Sequence, residues 1–236
     1  MIEQFYDLRP EVLALDRKAL SLCREQFAHV EEIRDYNQLK MLRAFTDSGV
    51  EARHFWGSSG YGVWDDSRNK LEEVFARCMG AEAALVRPQF MSGTHTLTVA
   101  LFGLLRTGDT LLAATGRPYD TLEGVIGIGE AGKGCGTLRE YGVNYDECPL
   151  LPDFTPDYDL VAEKARTATV VHIQRSRGYT QRNAFDLDTI RKVADIARKA
   201  NPNAVIFVDN CYGEFTQTAE PVAFGADIMA GSFIKN

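Results

Sequence analysis

The sequence lacks the features that mark membrane, secreted and nucleic-acid-binding proteins. Its 236 residues hold no apolar run as long as a membrane span; the longest candidate, residues 97–105, is too short and contains Gly103. The N-terminal stretch MIEQFYDLRPE is acidic and mixed, so it has neither the basic start nor the apolar core of a signal peptide. The formal net charge of −7 excludes the broad basic surface that binds nucleic acids or anionic membranes. We therefore expect no nucleic acid and no membrane among the partners.

Cysteine and histidine are also scarce, and their spacing indicates no site. The five cysteines are scattered, odd in number and free of any CxxC pair, which is typical of reduced thiols in a cytoplasmic protein. The four histidines form neither HExxH nor another spacing typical of metal ligands. We expect a cytoplasmic protein with no metal site.

The sequence does contain a regular alternation of strand-like and helix-like segments. Residues 10–46 predict one or two helices within an N-terminal helical arm (residues 1–56), and residues 57–236 form the main domain, which opens with a loop at 54–67. Strands are predicted at residues 83–87, 110–115, 137–143, 169–173, 204–208 and 228–230, and helices at 66–79, 93–105, 122–128, 158–165 and 188–200. Such alternation implies crossover connections, so we predict an α/β fold with a mostly parallel sheet and flanking helices.

Polar residues follow three of the predicted strands. The strand AVIFV ends at Asp209, and the strand ADIMA leads into Lys235. The run ALVRP leads to Ser92, which is a good N-cap for the next helix, so the free amides of Gly93 and Thr94 would point at an anion. Because ligands bind at the carboxyl ends of parallel strands, we expect these residues to share one site.

The three features together fit pyridoxal 5'-phosphate. This cofactor needs a cradle for its phosphate, a carboxylate that keeps its pyridine nitrogen protonated, and a lysine amine that bonds to its aldehyde. Residues 92–94 supply the cradle, Asp209 the carboxylate and Lys235 the amine. Ser232, three residues before the lysine, adds a hydroxyl to the phosphate site.

The order of these elements resembles the fold-type I pyridoxal-phosphate enzymes, the aspartate aminotransferase superfamily. Within it, the sequence resembles the methionine-γ-lyase-like group known as aluminium-resistance proteins, relatives of cystathionine β-lyase. The matching stretches are SSGYGVWDDSRNKLEEVFA, GAEAALVRPQFMSGTHTL, VHIQRSRGYTQR, IFVDNCYGEF and GSFIKN. The resemblance implies the large domain of that fold. It also implies a longer chain with a C-terminal small domain, so we expect these 236 residues to be part of one.

The resemblance implies further site residues. Tyr119 lies where related lyases place a tyrosine that stacks on the cofactor ring, and Tyr212 matches a tyrosine that bonds the ring hydroxyl. Gln174 follows the strand that provides a group beside that hydroxyl. Tyr61 and Arg68 lie in the stretch that reaches the phosphate of a neighbouring subunit, which implies a homodimer or homotetramer with shared sites. The Tyr-x-Arg pair of the best-known lyases is absent, since Gly62 and Val63 follow Tyr61.

Several of these residues also have a simpler interpretation. Tyr119 and Tyr212 could be packing aromatics. Arg175, beside Gln174, and Arg177 could form ion pairs at a subunit contact. His95, in the first turn of a predicted helix, is more often a structural group in such a place.

The stretch GIGEAGKGCG, residues 127–136, matches the dinucleotide pattern GxGxxG and nearly matches a phosphate loop, except that Gly134 stands where Ser or Thr is required. It neither follows a buried strand nor opens an amphipathic helix, so we interpret it as a surface loop or a loop at the rim of the active site.

The resulting prediction is a carbon–sulfur lyase that uses pyridoxal phosphate to eliminate a group from Cβ or Cγ of a sulfur-containing amino acid. The alternatives are an aminotransferase or another pyridoxal-phosphate enzyme that acts on amino acids, a nucleotide-binding protein that uses the 127–136 loop, and a non-catalytic homologue.

Overall fold

A five-stranded parallel sheet forms the centre of the molecule. The computed structural model describes residues 4–61, 65–134 and 136–235. Its strands are β1 (Thr110–Ala113), β2 (Asn144–Glu147), β3 (Val170–Gln174), β4 (Val205–Asp209) and β5 (Ile228–Ala230). They lie in the order β2-β1-β3-β4-β5, and every pairing is parallel. The predicted α/β class is confirmed. Residues 62–64 of the predicted 54–67 loop, and Cys135 of the glycine-rich loop, lie outside the described residues.

Helices cover both faces of the sheet. They are α1 (Pro10–Leu22), α2 (Arg24–Asp47), α3 (Asp66–Met79), α4 (Gly93–Leu104), α5 (Asp120–Ile126), α6 (Tyr158–Lys164) and α7 (Leu187–Ala200). Their ends follow local chemistry: the side chains of Ser92, Asp157 and Asp186 cap α4, α6 and α7, and α3 ends at Gly80, which has a left-handed φ of 67°.

Two apolar cores lie between the sheet and its helices, one on each face of the sheet. Val171 belongs to the core beneath α6 and α7, whereas Val170 and Phe207 belong to the core beneath α4 and α5. Successive side chains of a strand point to opposite faces. Gln174 and Asp209, which are partners in the β3–β4 register, therefore project on the side of α4 and α5. The last residues of these strands thus face the N-terminus of α4.

The strand predicted at residues 83–87 is wrong. This run is extended, but it pairs with no strand among the described residues. Its Val86 N–H donates instead to the Glu72 carboxylate of α3, at 2.9 Å. An apolar extended run becomes a strand only where a neighbouring strand accepts its hydrogen bonds.

The strand predicted at residues 137–143 is also misplaced. The N–H groups of Leu138 and Arg139 donate to the carbonyls of Val125 and Ile126, the last residues of α5. The chain then turns at Gly142, where φ is 79°, and β2 begins only at Asn144. The apolar residues of this run therefore close the end of a helix rather than join the sheet.

The N-terminal arm is helical, as predicted, and α1 has no buried residue. The helix α2 contacts the main domain through Ala44 and Asn37, whose Nδ2 donates to the carbonyls of Phe215 and Gln217, each at 3.0 Å. Within the described ranges, no helix combines the length and apolar character needed to cross a membrane.

Candidate active site

An open cleft of about 1570 Å³ lies at the carboxyl ends of β3, β4 and β5 and at the N-terminus of α4. Its wall includes most of the polar residues that the sequence singled out. Those lining it are Ser92, Gly93, Thr94, Tyr119, Asp209, Tyr212, Ser232 and Lys235. Residues from four separate stretches of the sequence therefore meet at one edge of the sheet.

Asp209 is the buried acid of this cleft. Its side chain is at the end of β4 and the residue is only 1% exposed. Its Oδ1 accepts the Cys211 N–H at 3.1 Å, and among the described residues it forms no ion pair. Burial raises the pKa of Asp209 to about 6. Burial of a carboxylate that is not paired with a cation is unfavourable in free energy, so the site around Asp209 favours a ligand with a positive charge.

The N-terminus of α4 forms a second part of the cleft. The Ser92 Oγ accepts the His95 N–H at 3.1 Å, which caps the helix, and the amides of Gly93 and Thr94 have no acceptor within the helix. A Cβ on Gly93 would lie 3.3 Å from the Ser232 Cβ and 3.3 Å from the Cys211 Sγ. The helix N-terminus is therefore packed closely against the chain that leaves β4 and β5.

Tyr119 joins this helix N-terminus to the end of β3. Its N–H donates to the Gln174 Oε1 at 2.9 Å, and its hydroxyl lies 3.1 Å from the Thr94 Oγ1. The Gln174 Nε2 in turn donates to the Ser176 carbonyl at 3.1 Å. Burial raises the pKa of Tyr119. Thr121, whose hydroxyl lies 3.2 Å from the Thr94 Oγ1, is a cleft residue that the sequence did not indicate.

Lys235 lies on the exposed side of the cleft. Its Nζ donates to the Tyr212 hydroxyl at 2.6 Å and lies 4.1 Å from the centre of that ring. The hydrogen bond to Tyr212 raises the pKa of Lys235. Tyr212 has a φ of 68°, in the left-handed region that residues with a side chain rarely adopt. Such backbone strain is concentrated at functional sites in proteins.

A buried polar network holds the loop after β4. The Arg175 guanidinium donates to the Asn210 Oδ1 and to the Gly213 carbonyl, each at 2.8 Å. The Glu220 carboxylate accepts the Asn210 Nδ2 and the Phe215 N–H, each at 2.9 Å. Arg175 is buried within its own chain, so the interpretation of this residue as an ion pair at a subunit contact is wrong. In the sequence, Arg175 is recognisable only as a charged residue directly after a buried strand, and this pattern does not indicate which residues it binds.

Other expected residues lie apart from the cleft. Tyr61 is 91% exposed and Arg68 pairs with Asp65 at 3.0 Å, and neither lines the cleft. The His95 Nδ1 accepts the Met91 N–H at 3.1 Å, which is a structural role in the first turn of α4. The exposed Arg177, unlike these three residues, lines the cleft.

The glycine-rich 127–136 loop follows α5 and not a strand, and it opens no helix longer than the short 3-10 turn Ala131–Lys133. A Cβ on Gly132 would collide with the backbone of Gly127, so these two glycines are explained by chain packing. The structural context of a nucleotide-binding loop is therefore missing.

The residues of the cleft fit pyridoxal phosphate. Asp209 is a buried carboxylate, and a positively charged group beside it, such as a protonated pyridine nitrogen, would stabilise its ionised form. The open amides of Gly93 and Thr94, beside the Ser232 hydroxyl, suit a phosphate. Lys235 places an exposed amine in the same cleft. Within the described residues, no cluster of histidine, cysteine and carboxylate side chains could hold a metal ion.

Comparison with known proteins assigns the chain to a family. Residues 12–236 match the sequence profile of the methionine gamma-lyase family. The chain belongs to this family. A curated relative, YnbB of Bacillus subtilis (strain 168), is 45% identical over 208 residues, which are 88% of this chain and 49% of the relative. The chain thus spans about half the length of that curated relative.

Solved structures of similar proteins show the same fold. A Listeria monocytogenes protein, described as a "putative cystathionine beta-lyase involved in aluminum resistance", has 43% identity and a TM-score of 0.90, over 95% of this chain and 57% of its own. A Clostridium novyi NT carbon-sulfur lyase involved in aluminum resistance has 43% identity and a TM-score of 0.90, over 96% of this chain and 54% of its own. The chain has the large-domain fold of fold-type I pyridoxal-phosphate enzymes.

Proposed function

We propose that this family member is a pyridoxal-phosphate-dependent carbon–sulfur lyase that acts on a sulfur-containing amino acid by β- or γ-elimination. The observation that carries the proposal is the convergence, in one cleft, of a buried acid that forms no ion pair among the described residues, an open helix N-terminus and a lysine amine. Each feature alone is common in proteins. Their combination matches the three requirements of this cofactor.

The residues of the chain take distinct roles in this proposal. The amides of Gly93 and Thr94, with the Ser232 hydroxyl, bind the phosphate. Asp209 would bind the pyridine nitrogen and keep a proton on it, because its buried carboxylate forms no ion pair within the part of the chain that the structure describes. Lys235 would hold the cofactor at its aldehyde, and the Lys235 Nζ would be the group that moves the proton at the substrate Cα. When bound, pyridoxal phosphate supplies the electron sink that this deprotonation needs.

Two tyrosines orient the reacting groups. Tyr119 is fixed at both ends, by Gln174 at its backbone and by Thr94 at its hydroxyl, so its ring would be held in place beside the cofactor. The Tyr212 hydroxyl contacts the Lys235 Nζ, and it is therefore placed to hold the amine or the ring hydroxyl. The carbon–sulfur outcome is supported by the family and by the relatives named above.

The test is a spectrum and a product assay on the complete gene product. We expect a visible absorbance band of lysine-bound pyridoxal, loss of that band on borohydride reduction, and a cofactor adduct on the peptide that contains Lys235. Incubation with sulfur-containing amino acids should release a thiol together with a keto acid. Lys235→Ala should remove band and activity, whereas the matched control Lys133→Ala should leave both intact.

Each alternative predicts another outcome of the same experiment. A keto acid without thiol release would identify an aminotransferase. A band without turnover of any amino acid would identify a non-catalytic homologue. Nucleotide binding that is lost in Lys133→Ala, with no visible band in the wild type, would favour the nucleotide-binding protein and contradict the proposal.

The proposal extends to a homodimer or homotetramer with shared sites. Tyr61 and Arg68 lie outside the cleft of their own chain, on exposed or half-exposed surface, where a neighbouring subunit can approach. Light scattering of the complete protein should show an oligomer. If the sites are shared, Tyr61→Ala should weaken cofactor binding although the residue does not line the cleft of its own chain.

A further inference from the structure

We propose that Glu214 is a positioning residue of this site, a role that rests on the proposed function. Its carboxylate ties the segment that carries Ser232 and Lys235 to the loop that carries Asp209 and Tyr212. By doing so it sets the distance between the phosphate cradle, the buried acid and the lysine. The residue lies outside the set that the sequence indicated.

The contact itself is short and shielded. The Glu214 Oε1 accepts the Ser232 N–H at 2.7 Å, across 18 residues of sequence, and Glu214 is only 6% exposed. A hydrogen bond to a buried carboxylate is among the stronger ones in proteins. The Lys235 N–H donates to the Ser232 carbonyl at 3.0 Å, so residues 232–235 form one turn. A displacement of Ser232 would therefore move the lysine as well.

The backbone around Glu214 is held from the opposite side. On one flank the Gly213 carbonyl accepts the Arg175 guanidinium, and on the other the Phe215 N–H donates to Glu220. Both partners are buried. Because the loop is fixed in this way, the carboxylate imposes its position on Ser232 rather than following it.

Two glycines leave room for this arrangement. A Cβ on Gly231 would collide with the Glu214 Oε1, so only glycine lets the carboxylate come this close. At the next position, the Ser232 Cβ already lies 3.3 Å from the place of a Cβ on Gly93. The Glu214 contact thus holds Ser232 in close packing with the N-terminus of α4, which we assign to the phosphate.

The chain offers a matched control at the other end of the same strand pair. The Asp227 Oδ2 accepts the Ile206 N–H at 2.8 Å, and it thereby joins the start of β5 to β4. Like the Glu214 contact, it joins a carboxylate to a backbone N–H between the β4 and β5 segments; Asp227 is more exposed than Glu214 and also pairs with Arg198 at 2.9 Å. The Asp227 contact lies at the amino ends of these strands, whereas the candidate active site lies at their carboxyl ends.

The experiment measures cofactor affinity on the complete gene product. Cofactor-free wild type and the variants Glu214→Gln, Glu214→Ala, Gly231→Ala and Asp227→Asn are titrated with pyridoxal phosphate, and urea unfolding is measured in parallel. We expect Glu214→Ala and Gly231→Ala to weaken binding at least about tenfold, which corresponds to the loss of one charge-assisted hydrogen bond. Glu214→Gln keeps an acceptor oxygen and should recover part of the affinity. Asp227→Asn should lower stability and leave affinity unchanged.

A second readout separates positioning from a general loss of structure. The pH midpoint of the visible band should move in Glu214→Gln, because this variant removes a charge that acts on Asp209 and weakens the contact that positions residues 232–235, and it should stay in place in Asp227→Asn. Unchanged affinity and midpoint in both Glu214 variants would overturn the proposal. Equal effects in Asp227→Asn would do the same, because they would show a loss of stability only. A wild type without the visible band would instead overturn the proposed function, and this role with it.

Discussion

Replacement of Asp209 by asparagine should stabilise the cofactor-free protein at neutral pH while it destroys the site. The carboxyl is 1% exposed and forms no ion pair among the described residues. Burial raises its pKa from 3.8 to about 6. The amide of asparagine has nearly the same shape and can still accept the Cys211 N–H, but it carries no charge to desolvate.

The size and sign of the effect follow from the pKa in the two states. Below about pH 3.8 the carboxyl is protonated in both the folded and the unfolded chain, and it costs nothing. As the pH rises toward 6, the unfolded chain releases its proton first, so ionisation progressively favours unfolding. Above about pH 6 the cost is constant. The difference between 3.8 and about 6 corresponds to about 3 kcal/mol of lost stability, at about 1.4 kcal/mol for each tenfold change in proton affinity.

The assay is urea unfolding of both cofactor-free proteins across this pH range. The free energies of unfolding should be nearly equal near pH 4, and the variant should exceed the wild type by up to about 3 kcal/mol above pH 7. Saturating pyridoxal phosphate should reverse the order, because a ligand stabilises the protein that binds it more tightly. A difference that does not change with pH, or a variant that is less stable at every pH, would refute the reasoning.

Three further substitutions test other parts of the structure. Asn37→Ala removes the two hydrogen bonds from α2 to the carbonyls of Phe215 and Gln217, and it should cost about 1–3 kcal/mol in urea unfolding. Thr94→Val removes the hydroxyl that contacts Tyr119, and it should weaken binding of pyridoxal phosphate by about tenfold, measured by titration. Gly127→Ala places a Cβ 2.6 Å from the Thr137 Oγ1 at a φ of 93°, and it should lower the free energy of unfolding by more than about 1 kcal/mol without changing cofactor affinity. An unchanged affinity in Thr94→Val would contradict the assignment of that hydroxyl to the site.

The strand ends of the site could be predicted because they depend on local sequence and on one general rule. An apolar run followed by an acid identifies the end of β4, and a serine before Gly93 identifies the start of α4. The parallel order of the strands then places both at one edge of the sheet. This reasoning needs no knowledge of contacts between distant residues.

The errors share one physical cause. An apolar run records that a segment will be buried, but not which groups will accept its hydrogen bonds. In residues 83–87 the Val86 N–H donates to the Glu72 carboxylate. The N–H groups of residues 138–139 donate to the last carbonyls of α5. The partners of the two Arg175 Nη atoms, such as Asn210, lie 35 or more residues away in sequence. No local pattern reveals contacts of that range, so neither the network nor Glu214 could be predicted.

The loop after β4 shows how a glycine in the sequence can suggest the wrong position for a left-handed backbone conformation. Glycine is the residue usually expected in a left-handed conformation, so Gly213 in NCYGEF invites that reading. The left-handed residues are instead its neighbours Tyr212 and Phe215. Gly213 is required for space, because a Cβ there would lie 2.6 Å from the Arg175 Cδ and 2.6 Å from the Asn210 Oδ1. The buried network thus packs tightly against the backbone of Gly213. The strained backbone conformation is instead at Tyr212, whose hydroxyl accepts a hydrogen bond from Lys235.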